Sequence, residues 1–344
     1  MATHWIVNTY GDPLSTLQTT LGKIWGQAGL DGMLIPGASG PNELTKPHLV
    51  HDPAELANLN PFRPIMTMNA ARLIPDILEK YPEGQIGVLL RPCEMRALIE
   101  MVKHRPLNLE RLLTISVDCL GTFPPEDYLW RVDRKGSAEK LAQEGLRFAR
   151  QGGILAYRYR AACQFCVAPF TAGAQINIGV LGLPVRQHIL LSIRDEQIAR
   201  RIQVEAIAAG KAEPKLLAQR EQLLARLEEQ HAHTRERILV GLAEYLPPDV
   251  DALIEQFNQC GSCEACMQVC PIAAIDYPRH GEDQKYLRQD VMRWLVSCAG
   301  CGMCELSCPQ HKPLSVIFTH VRQQLSQALD YTPGVSIEQA LPVA

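Results

Sequence analysis

No apolar run in the sequence approaches the roughly 18 residues that a membrane-spanning helix needs. The opening stretch, MATHWIVNTYGDPL, lacks the basic region followed by an apolar one that marks a secretory signal. No block of lysine and arginine occurs, and a formal net charge of −3 gives nucleic acid no electrostatic foothold. There is no G-x-G-x-x-G fingerprint, and Gly179-Val180-Leu181-Gly182 is too short to replace it, so a Rossmann-type dinucleotide site is not expected. The 10 histidines show no metal-ligand spacing. His231 and His233 fall in a charged helical stretch and are expected in solvent, as is His311. These absences lead us to expect a soluble, cytoplasmic protein without a membrane span or a nucleic-acid partner.

Cysteine, by contrast, is abundant, with 12 residues. A reducing compartment makes disulfides a poor explanation for them and metal ligation a better one. The chain has 344 residues, 47% hydrophobic and 21% charged, which is enough for a large domain with an appendage or for two ordinary domains.

The first half alternates in period. Residues 4–10 (HWIVNTY) read as a strand and residues 14–29 as a helix ended by glycine. Short apolar runs at residues 32–36 and 86–90 have buried-strand character. Residues 94–104 (EMRALIEMVKH) are amphipathic, and residues 112–117 (LLTISV) return to strand character. This alternation predicts an α/β sheet with helical cover. Residues 194–245 differ, because leucines recur at helical spacing among charges of both signs. Pro214 is read there as the break between two helices of a packed hairpin.

Two cysteine runs close the sequence. CGSCEACMQVCP places Cys260, Cys263, Cys266 and Cys270 in the pattern C-x2-C-x2-C-x3-C-P, and CAGCGMCELSCP repeats it with Cys298, Cys301, Cys304 and Cys308. This is the ferredoxin run for cubane 4Fe–4S clusters, in which the fourth cysteine of each run serves the other cluster. The expected sets are therefore Cys260, Cys263, Cys266 and Cys308 for one cluster, and Cys298, Cys301, Cys304 and Cys270 for the other. Zinc fits poorly, since it takes four ligands, usually as two separated pairs. Residues 290–296 (DVMRWLV) look helical and lead straight into the second run, which resembles an α-helical ferredoxin module; the two-stranded bacterial ferredoxin is the alternative, with the same ligand assignment.

Four cysteines remain: Cys93, Cys119, Cys163 and Cys166. Cys93 follows one predicted strand and Cys119 another, so both leave the kind of sheet edge where ligand sites collect. Spacing alone leaves two readings open, a third ligand tetrad or a pair of buried structural thiols beside an isolated Cys-x-x-Cys.

LLRPCEMRALIE, TISVDCLGTF and CQFCVAPFTAGAQINIGVLG resemble, in order, three motifs of the coenzyme F420 hydrogenase/dehydrogenase beta-subunit family. The resemblance covers roughly residues 1–195. It implies that Cys93, Cys119, Cys163 and Cys166 bind one 4Fe–4S cluster and that FAD lies beside it. The sequence departs from the commoner family pattern at Leu90-Arg91, at Pro61-Phe62-Arg63 and at Val167-Ala168-Pro169. Those departures leave open whether the small two-electron carrier is coenzyme F420, NAD(P) or another. For the flavin, the expected contacts are Arg63, Thr67, Asn69 and Arg72 in RPIMTMNAAR, with Arg91, Pro92 and Arg96 near Cys93, and Lys46. Arginine suits a diphosphate because its fork pairs two oxygens at once.

The expected architecture is an α/β flavin and iron–sulfur domain (residues 1–193), a helical hairpin (194–250), a small, α-helical, ferredoxin-like dicluster domain (251–330) and a tail (331–344). The expected function is that of an electron-transfer subunit of an oxidoreductase, with three 4Fe–4S clusters and FAD. No cysteine is left over for a nickel site, so the catalytic or electron-accepting partner is expected on another chain: a formate dehydrogenase, a hydrogenase or a heterodisulfide-reductase-like protein. The competing expectation is a ferredoxin-like adapter without flavin.

Overall fold

The computed structural model describes residues 2–37, 44–153, 159–170, 173–260 and 263–343. Its centre is a mixed sheet built from β1 (Thr3–Asn8), β2 (Gly32–Gly37), β3 (Lys46–Val50) and β4 (Ile86–Leu90). It continues through β5 (Leu112–Val117), β6 (Ile176–Gly179), β7 (His188–Ile193) and β8 (Gly210–Lys211). The strand order is β3-β2-β4-β5-β6-β7-β1-β8. Strands β2, β4, β5 and β6 run parallel, and the flanking pairs are antiparallel. The parallel strands bring one edge of the sheet, their carboxyl ends, to a common side.

Local chemistry sets the elements. Asp12 accepts from the amides of Leu14 and Ser15 to start helix Pro13–Ala28, and Gly29, at φ +62°, ends it. Along β4, Ile86, Val88 and Leu90 face one apolar cluster while Leu89 faces the other, as strand alternation requires. The second cluster packs under helix Pro13–Ala28; the first meets helix Pro92–His104.

Between residues 194 and 250 the expected hairpin does not form. Helical turns at Glu196–Arg201 and Val204–Ile207 lead into edge strand β8, and one 28-residue helix, Pro214–Gly241, follows. Pro214 opens that helix rather than dividing two long ones, because a first-turn residue needs no amide donor.

Beyond residue 250 the described residues form helices Val250–Asn258, Ala265–Gln268, Arg288–Val296, Met303–Ser307 and Leu314–Ala328, with one isolated bridge between His280 and Tyr286. This part is not a separate bead. Phe257, Trp294, Leu295, Phe318 and Val321 lie in the same apolar cluster as Leu98, Ile99 and Leu90 of the sheet domain. Polar contacts reinforce the junction. His104, at the end of helix Pro92–His104, bridges Asp276 and Ser297 at 2.9 Å each, and burial holds its imidazole below the usual histidine range. The C-terminal residues fold back on the same helix: Glu100, fully buried, accepts from the Tyr331 hydroxyl at 2.6 Å, the Gly334 amide at 2.7 Å and Lys103 at 2.8 Å.

Candidate functional site

The carboxyl edge of β4 and β5 positions the first thiols. Arg91 caps helix Pro92–His104, and the Glu94 carboxylate locks the turn by accepting from the Arg91 and Ala70 amides at 2.7 and 3.0 Å. Cys93 therefore sits in the first turn of a helix that starts at the sheet edge. Cys119 lies two residues past β5, and its amide donates to the Pro169 carbonyl at 2.8 Å. The Arg160 amide in turn donates to the Thr122 carbonyl, and Cys163 and Cys166 lie on the short helix and loop between these ties. The result is that Cys93, Cys119, Cys163 and Cys166 all line one cavity of about 930 Å³. Cys301, from the second ferredoxin run, lies on its wall.

Charge is distributed unevenly there. Burial, and then neighbouring Glu94, push the Cys93 thiol far above the ordinary range. Burial, and then Cys163, push Cys119 up to about 12. Cys163 goes the other way. Burial opposes its thiolate, but the Arg160 guanidinium and hydrogen bonding from Thr122, 3.3 Å away, bring it below the usual value. Arg160 lies 3.7 Å from Cys163 Sγ, and Arg96 lies 3.7 Å from Cys166 Sγ.

Cys260, Cys263, Cys266 and Cys308 line a small cavity of about 40 Å³. Burial and neighbouring Cys260 raise Cys266 to about 11, and Lys312 Nζ stands 3.4 Å from Cys260 Sγ. Cys270, Cys298, Cys301 and Cys304 neighbour one another; burial, with Cys301 next, raises Cys270 to about 12. The Trp294 indole donates to Cys270 Sγ at 3.2 Å. The three tetrads are also consecutive in space. Cys301 faces Cys93, and Cys304 faces Cys266.

All 12 cysteines are free thiols. Among the described residues no three Cys, His, Asp or Glu side chains converge on a single-ion position. Polar donors point at several of the sulfurs. Asn69 Nδ2 is buried without a hydrogen-bond partner, and burial raises the neighbouring Cys301 thiol, with Asn69 partly offsetting it. Buried donors aimed at sulfur suit anionic, thiolate-ligated clusters, whose potentials such bonds tune.

Of the residues expected at the flavin, only Pro92 lines the large cavity. Arg63 pairs with Glu139. Arg91 donates to the carbonyls of Arg63 and Ile65 at 3.2 and 2.7 Å, and the Thr67 hydroxyl donates to the Thr45 carbonyl at 2.7 Å. The Asn69 side-chain oxygen accepts from the Ala71 amide while its Nδ2 faces Cys301. Arg72 is half-buried, Lys46 is exposed at the start of β3, and Arg96 joins the thiols.

Other residues take places that the sequence reading did not assign. Leu227, Gln230, His231, Thr234, Arg237 and Ile238 recur at helical spacing and form one wall of the cavity. His231, expected in solvent, instead has Nδ1 against the Cys166 carbonyl. The helix is pinned by Arg220, whose guanidinium meets both oxygens of the Asp118 carboxylate at 2.8 and 3.0 Å, next to Cys119. Only the 3.6-residue spacing of that wall was readable in the sequence.

Residues 253–312, which carry both C-terminal cysteine runs, match the family model described as a 4Fe-4S dicluster domain. The resemblance read from the upstream motifs also holds across most of the chain. It is 26% identical over 298 residues to the F420-dependent formate dehydrogenase 1 subunit beta of Methanococcus maripaludis, covering 76% of each chain. The F420-dependent formate dehydrogenase subunit beta of Methanocaldococcus jannaschii is 21% identical over 298 residues, covering 77% of this chain and 78% of the relative. A chain of the F420-reducing [NiFe] hydrogenase complex from Methanosarcina barkeri superposes with a TM-score of 0.48 at 13% identity, over 69% of this chain and 91% of that one. No helix among the described residues is long and apolar enough to cross a membrane.

Proposed function

We propose that the chain is a cytoplasmic iron–sulfur flavoprotein subunit of an oxidoreductase complex. It exchanges two-electron equivalents with coenzyme F420 or a similar hydride carrier, and single electrons with a partner subunit of the formate dehydrogenase, hydrogenase or heterodisulfide-reductase-like kind. The observation that carries this reading is the cavity lined by Cys93, Cys119, Cys163 and Cys166 with Cys301 on its wall. It supports three cluster sites in a row rather than a ferredoxin module beside an unrelated domain.

FAD, which accepts hydride and releases electrons singly, would supply the conversion between the two kinds of transfer. The cavity favours it: about 930 Å³ lies at the upper end of small-molecule sites and exceeds what four thiols around a cubane require. Gln230, Thr234 and Arg237 give the wall away from the thiols hydrogen-bonding and cationic character. The chain's own work is to hold thiols, present donors to their sulfurs and shut out water. Arg220 and Asp118 fix the covering helix, and Trp294 reaches a sulfur of the middle tetrad.

Anaerobically purified protein tests the reading. We expect extractable FAD and bleaching of its visible absorbance by reduced coenzyme F420. Iron–sulfur absorbance without extractable flavin would leave only the adapter. Bleaching by NADH or NADPH alone would keep the flavoprotein but change the carrier.

A further inference from the structure

We propose that Arg96 and Arg160 are built-in counter-ions for the cluster of the Cys93, Cys119, Cys163 and Cys166 tetrad, and that together they raise its reduction potential. This rests on the reading of that tetrad as a cluster site.

Arg160 is buried and Arg96 half-buried at the junction between the sheet domain and the dicluster module. Arg160 donates through Nε to Thr122 Oγ1 at 2.8 Å, and its other nitrogens lie 3.4 Å from Met303 Sδ, 3.5 Å from Met66 Sδ and 3.7 Å from Cys163 Sγ. Arg96 donates to the Ala168 carbonyl at 2.8 Å and the Ala299 carbonyl at 3.3 Å, with its third contact on Cys166 Sγ. Arg220 and Arg293 meet carboxylates, Asp118 and Asp276, whereas Arg91 and Arg322 rest on backbone carbonyls and, like Arg96 and Arg160, neighbour thiols, Cys119 and Cys298. Among the described residues, neither Arg96 nor Arg160 pairs with Asp or Glu. Carbonyls, a hydroxyl and thioethers solvate a guanidinium but do not neutralise it, and an unpaired buried charge is strongly unfavourable. The negative charge that balances these two cations must come from the sulfurs they touch.

That placement has a redox consequence. Four thiolates leave a cubane anionic, and each electron it accepts adds negative charge without any proton or leaving group moving. Fixed cations within contact of its ligands therefore stabilise the reduced form more than the oxidised one. They also span the step to the next tetrad, because Arg96 bonds Ala299 and Arg160 bonds Met303, on either side of Cys301.

The test is an EPR-monitored redox titration of the full-length, anaerobically purified protein carrying Arg160→Gln, Arg96→Gln or Arg160→Lys. For each Gln variant we expect the cluster of the Cys93, Cys119, Cys163 and Cys166 tetrad to show a reduced-to-oxidised ratio about tenfold lower at a given potential, a shift of about 59 mV for a one-electron couple, with a smaller shift at the Cys301 cluster and the Cys260, Cys263, Cys266 and Cys308 cluster unmoved. Arg160→Lys keeps the charge and should stay near wild type. Loss of one cluster's iron in Arg160→Gln but not in Arg160→Lys would also show that the charge is required. Unchanged midpoints in Gln variants with three intact clusters would overturn the proposal, and so would an Arg160→Lys variant that behaves like Arg160→Gln. A wild-type protein with only two clusters is a separate outcome, which removes the tetrad reading itself.

Discussion

Changing Cys166 to serine is expected to lower the iron content from about 12 to about eight atoms per chain, since each cubane carries four irons and no cysteine is shared between the upstream tetrad and the ferredoxin runs. Serine keeps the shape of the side chain, but its hydroxyl is a far weaker anion than a thiol and makes a poor ligand. The thiol stands at a crossing of contacts: its sulfur faces Arg96 and its carbonyl faces His231 on the covering helix. Only the sulfur contact changes in the variant, so the fold should persist. Flavin content should hold while electron delivery to a partner falls to background, because the first of the three consecutive sites is then empty. Iron and sulfide assays with an EPR spectrum check this. Unchanged iron would mean that Cys163 and Cys166 are not ligands.

A chain ended after Pro248 is expected not to fold cooperatively. The cut removes Trp294, Leu295, Phe318 and Val321 from the cluster that also holds Leu98, Ile99 and Leu90. Each large apolar side chain left uncovered forfeits roughly 1.5–3 kcal/mol. A handful of them rivals the whole stability of about 5–15 kcal/mol that a typical domain has. Glu100 would lose Tyr331 and Gly334, leaving a fully buried carboxylate with Lys103 alone. Aggregation and the absence of a sharp thermal transition are the expected results. A soluble truncation with a sharp melt would show that the junction is a docking surface rather than shared core.

The sequence displayed half of the sheet, β1, β2, β4 and β5, and the spacing of the cysteine runs, because both are local signals. Helix Pro13–Ala28 carries its own start and stop in Asp12 and Gly29, and each ferredoxin run spaces its four cysteines within a dozen residues. What stayed hidden depends on contacts between distant segments. Arg160 precedes the Cys-x-x-Cys and looks like any surface charge until Met66 and Met303 bury it. Gly302 reads as one more glycine in a cysteine run, but it adopts φ +70° and a Cβ there would come within 2.5 Å of the Ala162 Cβ. The two cysteine-bearing segments touch at that point, and nothing in the spacing of either announces it. The arginines were legible as a class but not by role. The Arg91 fork holds backbone carbonyls and that of Arg96 reaches a thiol, while the polar wall of the cavity comes from a helix more than 100 residues downstream. Pro214 misled because proline marks both the break between helices and the opening turn of one.

An anaerobic reductive titration that counts the electrons taken up per chain tests the central claim most directly. One FAD and three 4Fe–4S clusters predict about five electrons, two at the flavin and one at each cluster. An uptake of about three would leave the clusters without a flavin, and about two would leave the ferredoxin pair alone, either of which contradicts a subunit that converts hydride exchange into single-electron transfer.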